Sequence, residues 1–297
     1  MLGGAVGDAL GAQLEGLNRS EIKAAYGKVS NYVKNPSRKN LEPGQWTDDT
    51  ALTLATMQSL VINKTLDLSD IKDRMGEAYK MEPFRGYGPN TRKVLEGGQP
   101  SKKSKGNGAA MRIAPVALFY HNDFDALREN VEKASQITHV AADAIDGAQA
   151  VAFAVAKAVR GELKPGDLID ETVNYLGLNT EMSYKLREVK DLIADQSMRT
   201  EEALDHIGTR GLALESVGCA FYAFLKTPNN FYESIIQAIN AGGDTDTIGC
   251  ITGYLSGTYN GEEKIERKWL NRLEGRSDIR CWSGDLFDLI RLRLSWC

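Results

Sequence analysis

The chain is poor in the residues that usually organise metal and disulfide frameworks. Only four cysteines and three histidines occur among its 297 residues. Cys219, Cys250, Cys281 and Cys297 are far apart and show no Cys-x-x-Cys spacing. A zinc ribbon or a disulfide scaffold is therefore excluded, and a reducing, cytoplasmic setting is expected. None of His121, His139 and His206 is followed by aspartate, so a His-Asp phosphohydrolase site is absent as well. No run of about 18 apolar residues is present to span a membrane. The opening stretch, "MLGGAVGDALGAQLEGL", has no basic segment, and Asp8 interrupts its apolar run, so it does not read as a secretory signal. Basic charge is not in excess either. The formal net charge is −4, and the densest basic cluster, Lys102, Lys103 and Lys105, reads as a solvated loop. Nucleic acid is not an expected partner.

Strand signatures are also scarce. "KVSNYV" (28–33) is the best candidate and is short. No strand–helix–strand alternation recurs, which excludes a doubly wound sheet, and no solenoid period is visible. Helical periodicity dominates instead. Ala51, Leu54, Leu60 and Val61 share one face after the pair Asp48–Asp49. "AADAIDGAQAVAFAVAKAVRG" (141–161) is an alanine-rich helix with Gly161 as its stop. "LALESVGCAFYAFLKTP" (212–228) reads as a buried helix closed by Pro228, and "DLFDLIRLRLSW" (285–296) as an amphipathic one. The expectation is an all-α chain forming a single domain over residues 1–297. "NPSRKNLEPG" (35–44) and "GGQPSKKSKGNG" (97–108) are polar Gly/Pro loops, better suited to shaping a site than to separating domains. Gly249, Gly253 and Gly257 recur every four residues. Glycine costs roughly 1 kcal/mol in a helix interior, so this face predicts close approach of another backbone, most simply a packed helix, or of a ligand.

Two stretches carry chemistry. "GQWTDDTAL" (44–52) and "NAGGDTDTIG" (240–249) each set carboxylates and threonines at the start of a helical pattern. Capping accounts for one or two such residues per helix. Four carboxylates, Asp48, Asp49, Asp244 and Asp246, exceed that need, and they repel one another if the two helix starts meet. A divalent cation would remove the conflict. Oxygen ligands suit Mg2+ or Mn2+. With the hydroxyls of Thr47 and Thr247, six ligands are available, enough for two cations about 3.5–4 Å apart sharing a carboxylate. Other motifs fit less well. "DTDTI" matches the nucleophile motif of haloacid-dehalogenase-type phosphatases only in part, because it follows a helical segment late in the chain. "DDTAL" lacks the third aspartate of the all-α prenyl synthases.

Four blocks in order, "GAVGDALGAQLE" (4–15), "GQWTDDTAL", "GNGAAMRIAPVAL" (106–118) and "NAGGDTDTIGCITG", resemble the ADP-ribosylglycohydrolase family, with "ITH" (137–139) as a weaker fifth. The blocks span almost the whole chain. The resemblance implies an all-α fold, a compact single-domain orthogonal helical bundle, and a dinuclear Mg2+ or Mn2+ centre. Thr47, Asp48, Asp49 and Asp246 would hold one cation, and Asp244, Asp246 and Thr247 the other, with Asp246 bridging. Glu15 falls at the position of a functional glutamate, as general acid or base, so that Glu15, Asp49 and Asp246 form the catalytic set. Asn107, Gly108 and Met111 would line an ADP-ribose pocket, with His139 near the ribose or phosphates. The implied activity is cleavage of the glycosidic bond at C1″ of ADP-ribose on an arginine or serine side chain, or on a related conjugate, by a monomer. A non-catalytic ADP-ribose binder, or another metal-dependent hydrolase such as a phosphatase, is the alternative. Three departures bear on substrate choice: Gly16 follows Glu15 where an aromatic is frequent, "THVAAD" lacks Asp-Pro after Thr-His, and Gly86, Tyr87 and Gly88 stand where arginine-directed members place an acidic residue.

Overall fold

The computed structural model describes residues 1–294. Among them the regular structure is helical, and the strand-like pairing is limited to two isolated bridges, Asn18 with Gly242 and Gly106 with Leu212. The chain runs through α1 (Leu2–Gly11), α2 (Arg19–Tyr26), α3 (Asp48–Asn63), α4 (Leu68–Met81), α5 (Pro89–Leu95), α6 (Ala114–Phe119), α7 (Phe124–Gln136) and α8 (Ala142–Val159). It continues through α9 (Leu168–Leu176), α10 (Glu181–Ala194), α11 (Thr200–Ile207), α12 (Ala213–Lys226), α13 (Phe231–Ile239), α14 (Thr245–Asn260), α15 (Arg267–Leu270) and α16 (Arg276–Leu294). The all-α expectation holds. No described helix is long and apolar enough to cross a membrane.

Local chemistry explains the helix ends. Asn18 and Glu21 form a reciprocal capping box on α2, and Asp123 caps α7 through two backbone N–H groups. Gly161, just beyond α8, takes φ +68°, a left-handed conformation that stops the helix as the sequence predicts. Alanine lets α8 sit inside the larger of two apolar clusters, packed against α6, α7, α12 and α14. The second cluster joins α1, α13 and α15 with one face of α3. Ala109 and Ala110 belong to the first and Met111 to the second, so the loop carrying Asn107 and Gly108 runs along their boundary.

The predicted glycine face has its partner at the opposite end of the chain. Gly3, Gly7 and Gly11 of α1 lie on Gly253, Gly249 and Thr245 of α14, backbone against backbone. A Cβ built on Gly249 would lie 2.5 Å from the Gly7 carbonyl oxygen.

"KVSNYV" is not a strand. The N–H and C=O of Val29 are satisfied instead by the side-chain amide of Asn240, each at 2.9 Å. One primary amide thus supplies the donor and the acceptor that a neighbouring strand would have offered. The amphipathic segment near the C-terminus lies within α16, which begins at Arg276, and its residues 295–296 fall outside the described residues. Cys219, Cys250 and Cys281 are free thiols, and Cys297 lies outside the described residues.

Candidate metal centre

The two acidic helix starts meet. Thr247 Oγ1, in the first turn of α14, donates to Asp49 Oδ1, in the first turn of α3, at 3.4 Å across 198 residues of sequence. Between them opens a cavity of about 470 Å³. Glu15, Asp48, Asp49, Asp244, Asp246 and Thr247 line one part of it, and Asn107, Gly108, Met111 and His139 another. Thr47 is the one predicted site residue that does not line it. It is fully buried one layer behind, where its N–H and hydroxyl both donate to Asp8 Oδ1 at 2.9 Å.

Asp8, on α1, is a site element that the sequence reading did not assign. Its second oxygen, Oδ2, accepts from Thr50 N–H at 3.0 Å and Thr50 Oγ1 at 2.6 Å. All four donors come from the first turn of α3, so Asp8 acts as a carboxylate cap reaching in from another helix. That fixes the direction in which Asp48 and Asp49 project. On the other side, Gly16 N–H donates to the Gly243 carbonyl and Gly243 N–H to the Leu17 carbonyl, both at 2.8 Å. These bonds bring Glu15 to Asp244. Gly16 adopts φ +83°, where an aromatic side chain would be strained, which accounts for the glycine after Glu15. One carboxylate oxygen from each of Glu15, Asp244 and Asp246 lies within 4.8 Å of the others.

Three of these side chains are held from outside the acidic group. Arg38, in the loop 35–44, forms an ion pair with Glu15. Asn107 donates its amide protons to Ser216 Oγ at 2.8 Å and to Asp244 Oδ2 at 2.5 Å. Only its carbonyl oxygen is left for a ligand. Asp244 also receives support through its own N–H, which donates to the Thr209 carbonyl at 2.7 Å.

The electrostatics are unfavourable without a counter-charge. Asp48, Asp49 and Asp246 are at most 6% exposed. Burial, and then the neighbouring carboxylates, push all three far above the usual carboxylate range. Burial also raises Asp244, and it raises Asp8 to about 6 against the lowering effect of its threonine partners. Among the described residues no basic side chain pairs with Asp48, Asp49, Asp244 or Asp246. Asp49 Oδ2 and Asp246 Oδ1 are buried without a hydrogen-bond partner. Orphaned buried carboxylate oxygens on two facing helices, inside an all-oxygen donor set, fit a hard divalent cation.

The ADP-ribosylglycohydrolase family profile matches residues 1–295. ADP-ribosylhydrolase ARH3 of Xenopus tropicalis is 29% identical, with 99% of this chain and 95% of that protein covered. ADP-ribosylarginine hydrolase Tri1 of Serratia proteamaculans is 25% identical over 97% of this chain and 77% of its own. A solved structure titled ADP-ribosylglycohydrolase-related protein complex superposes with a TM-score of 0.75, at 29% identity, covering 97% of this chain and 95% of that one. The chain belongs to the ADP-ribosylglycohydrolase family. It is an enzyme, and the chemistry of its class is hydrolysis of ADP-ribosyl groups.

Proposed function

We propose that this enzyme hydrolyses the glycosidic bond at C1″ of ADP-ribose carried by a protein side chain, arginine or serine, or by a related conjugate. It does so with two divalent cations, Mg2+ or Mn2+. The observation that carries this reading is the pair of orphaned oxygens, Asp49 Oδ2 and Asp246 Oδ1, in one carboxylate-lined cavity. Asp48, Asp49, Asp244 and Asp246 would hold the cations with Thr47 and Thr247, and Asp246 would serve both. Thr47 is the least direct of these, since it lies behind the cavity wall with its hydroxyl donating to Asp8 and accepting from Asp49 N–H, so it would reach a cation only through the free lone pair of that oxygen. When bound, the cations supply charge neutralisation and Lewis-acid polarisation.

The rest is done by the chain. Asn107 and Ser216 hold Asp244 in its rotamer, so the donor set is arranged before the ligand arrives. Glu15 is a carboxylate at the cavity wall whose one side-chain partner among the described residues is Arg38. It is placed to take a proton from the attacking water or to give one to the leaving group as an oxocarbenium-like state develops. Arg38 orients it. Elsewhere on the cavity wall lie His139, a neutral ring, and, behind Gly108, the buried cation Arg112, while Arg210 also lines the cavity but is ion-paired with Glu215. A ligand with a ribose diol at one end and a diphosphate at the other suits this division of charge. The names of the relatives differ on the linkage. Tri1 is named for ADP-ribosylarginine, and ARH3 for ADP-ribose alone.

The test is Mg2+- and Mn2+-dependent release of ADP-ribose from ADP-ribosyl-arginine and ADP-ribosyl-serine peptides in parallel, with Asp246→Ala as control. Release from one peptide, lost in the control, establishes the activity and the linkage. No release from either, despite calorimetric binding of metal and ADP-ribose, would move the assignment to another conjugate or to a binding role.

A further inference from the structure

Arg112 is 2% exposed, sits in the short 3-10 turn Ala110–Arg112, and forms no ion pair among the described residues. Its guanidinium donates to the carbonyl of Gly108, to that of Ala134 at 3.4 Å, and to Thr138 Oγ1 at 2.7 Å. Arginine has donors only, so the direction of that last bond is fixed. Thr138 is fully buried, and among the described residues the only other partner of its hydroxyl is Nδ1 of His139, at 2.8 Å. Two arrangements are conceivable. If Nδ1 carried the ring proton, it would donate to Thr138, and the threonine's own proton would be left without an acceptor in the interior, where unmatched donors are rare. If Nδ1 is bare, Thr138 accepts from Arg112 and donates to His139, and every group is matched. The ring proton then stands on Nε2.

His139 lines the cavity, and Nε2 is the ring nitrogen that Thr138 does not engage. A Cβ built on Gly106 would lie 3.3 Å from it, and one built on Gly108 would lie 2.6 Å from the adjacent Cε1. Gly108 is therefore glycine because the imidazole passes against its backbone. Burial, and then the charge of Arg112, lower His139 to about 3, so the ring is neutral throughout the working range.

We propose that Arg112 and Thr138 are positioning residues that fix His139 as the Nε2-protonated imidazole, a hydrogen-bond donor aimed at an acceptor oxygen of the ligand. That the oxygen belongs to ADP-ribose rests on the proposed function; the tautomer does not. The same guanidinium holds the Gly108 carbonyl, so one buried cation sets both the loop and the ring that faces it.

The full-length protein, labelled with nitrogen-15, reports the tautomer through long-range imidazole correlations. With only three histidines, His139→Gln identifies the signal. The expected wild-type spectrum has Nε2 protonated and Nδ1 bare. Thr138→Val should give a mixture of tautomers and weaken ADP-ribose binding about fivefold to tenfold by calorimetry, and Thr138→Ser should restore both. A wild-type His139 protonated on Nδ1, or on both nitrogens, overturns the proposal even if the valine variant fails to fold. So does a folded valine variant that keeps the pure Nε2–H tautomer. A wild-type protein with the expected tautomer but no ADP-ribose binding overturns the ligand half, together with the proposed function, and leaves the relay standing.

Discussion

The contact between α1 and α14 makes Gly249→Ala a sharp test, because the change adds a single methyl group. A Cβ on Gly249 would lie 2.5 Å from the Gly7 carbonyl oxygen, 2.9 Å from its carbon and 3.1 Å from Ile239 Cγ2. The first two are backbone atoms in the middle of a helix and cannot swing aside. To reach 3.4 Å, where ordinary contact begins, the helices must part by about 0.9 Å, the difference from 2.5 Å. Overpacking of this kind costs about 1–3 kcal/mol or more, and the helix propensity of alanine returns about 1 kcal/mol. A net loss of about 2 kcal/mol is expected, a fall in Tm of roughly 3 °C for a chain of this size. The functional effect should exceed the loss in stability. Asp246 and Thr247 lie on the turn before Gly249, while Asp48 and Asp49 are tied to α1 through Asp8. Parting α14 from α1 therefore opens the donor set, and the Thr247–Asp49 bond is already long. Mn2+ affinity should fall about tenfold or more. Gly76→Ala on α4 is the matched control, since a Cβ there meets nothing within 4 Å, and it should be neutral or slightly stabilising. Thermal denaturation with and without Mn2+, followed by titration calorimetry, measures both effects. If Gly249→Ala matched Gly76→Ala in Tm and in Mn2+ affinity, the argument that this interface sets the site would fail.

Other consequences follow from the same geometry. Asp8→Asn exchanges one acceptor oxygen for a donor, so that a buried backbone N–H and a threonine hydroxyl at the start of α3 lose their acceptor; chemical denaturation should show a loss of about 1–3 kcal/mol together with weaker Mn2+ binding, and a variant as stable as wild type would mean that Asp8 does not hold the helix. Glu15→Gln should lower turnover by about a hundredfold or more while calorimetry still finds the cations, and near-full turnover would remove Glu15 from the chemistry. Asp246→Ala should weaken both cation sites at once, and two tight sites by calorimetry would exclude the bridge. The raised carboxylates predict a proton-linked metal affinity. A group whose pKa is raised in the folded apo-protein holds its proton to higher pH, and a cation must displace that proton. Mn2+ affinity should therefore drop as pH falls, with proton release seen as a dependence of binding heat on buffer ionisation; affinity flat from neutral pH downward would contradict the site assignment.

Much of this was legible in the sequence, and the reasons differ residue by residue. The helix starts at Thr47–Asp49 and Asp244–Thr247 are local signals, because capping and first-turn acids act within a few residues. That they face one another is tertiary information, and no spacing rule contains it. The glycine face of α14 announced a close backbone, but the identity of that backbone required the packing of α1. "KVSNYV" failed as a strand because its backbone is satisfied by Asn240, a side chain on a distant helix end. Asp8 was visible only as a charge breaking an apolar run. A buried carboxylate in a glycine-rich helix was the available signal, and it should have been read as a demand for donors, since such a group persists inside a protein only where several N–H or O–H groups converge on it.

The geometry then explains why the block "GAVGDALGAQLE" belongs with the acidic ones although it contributes a single carboxylate to the cavity wall. Its glycines admit α14, which carries Asp246 and Thr247. Its Asp8 orients α3, which carries Asp48 and Asp49. Its last residue is Glu15, delivered to Asp244 by the paired backbone of Gly16 and Gly243. Three sources of negative charge are thus referred to one helix, and a displacement of α1 moves all of them relative to one another. In such an arrangement the pattern of small residues is as much a part of the site as its ligands, because a methyl group on the glycine face would separate carboxylates that it never touches.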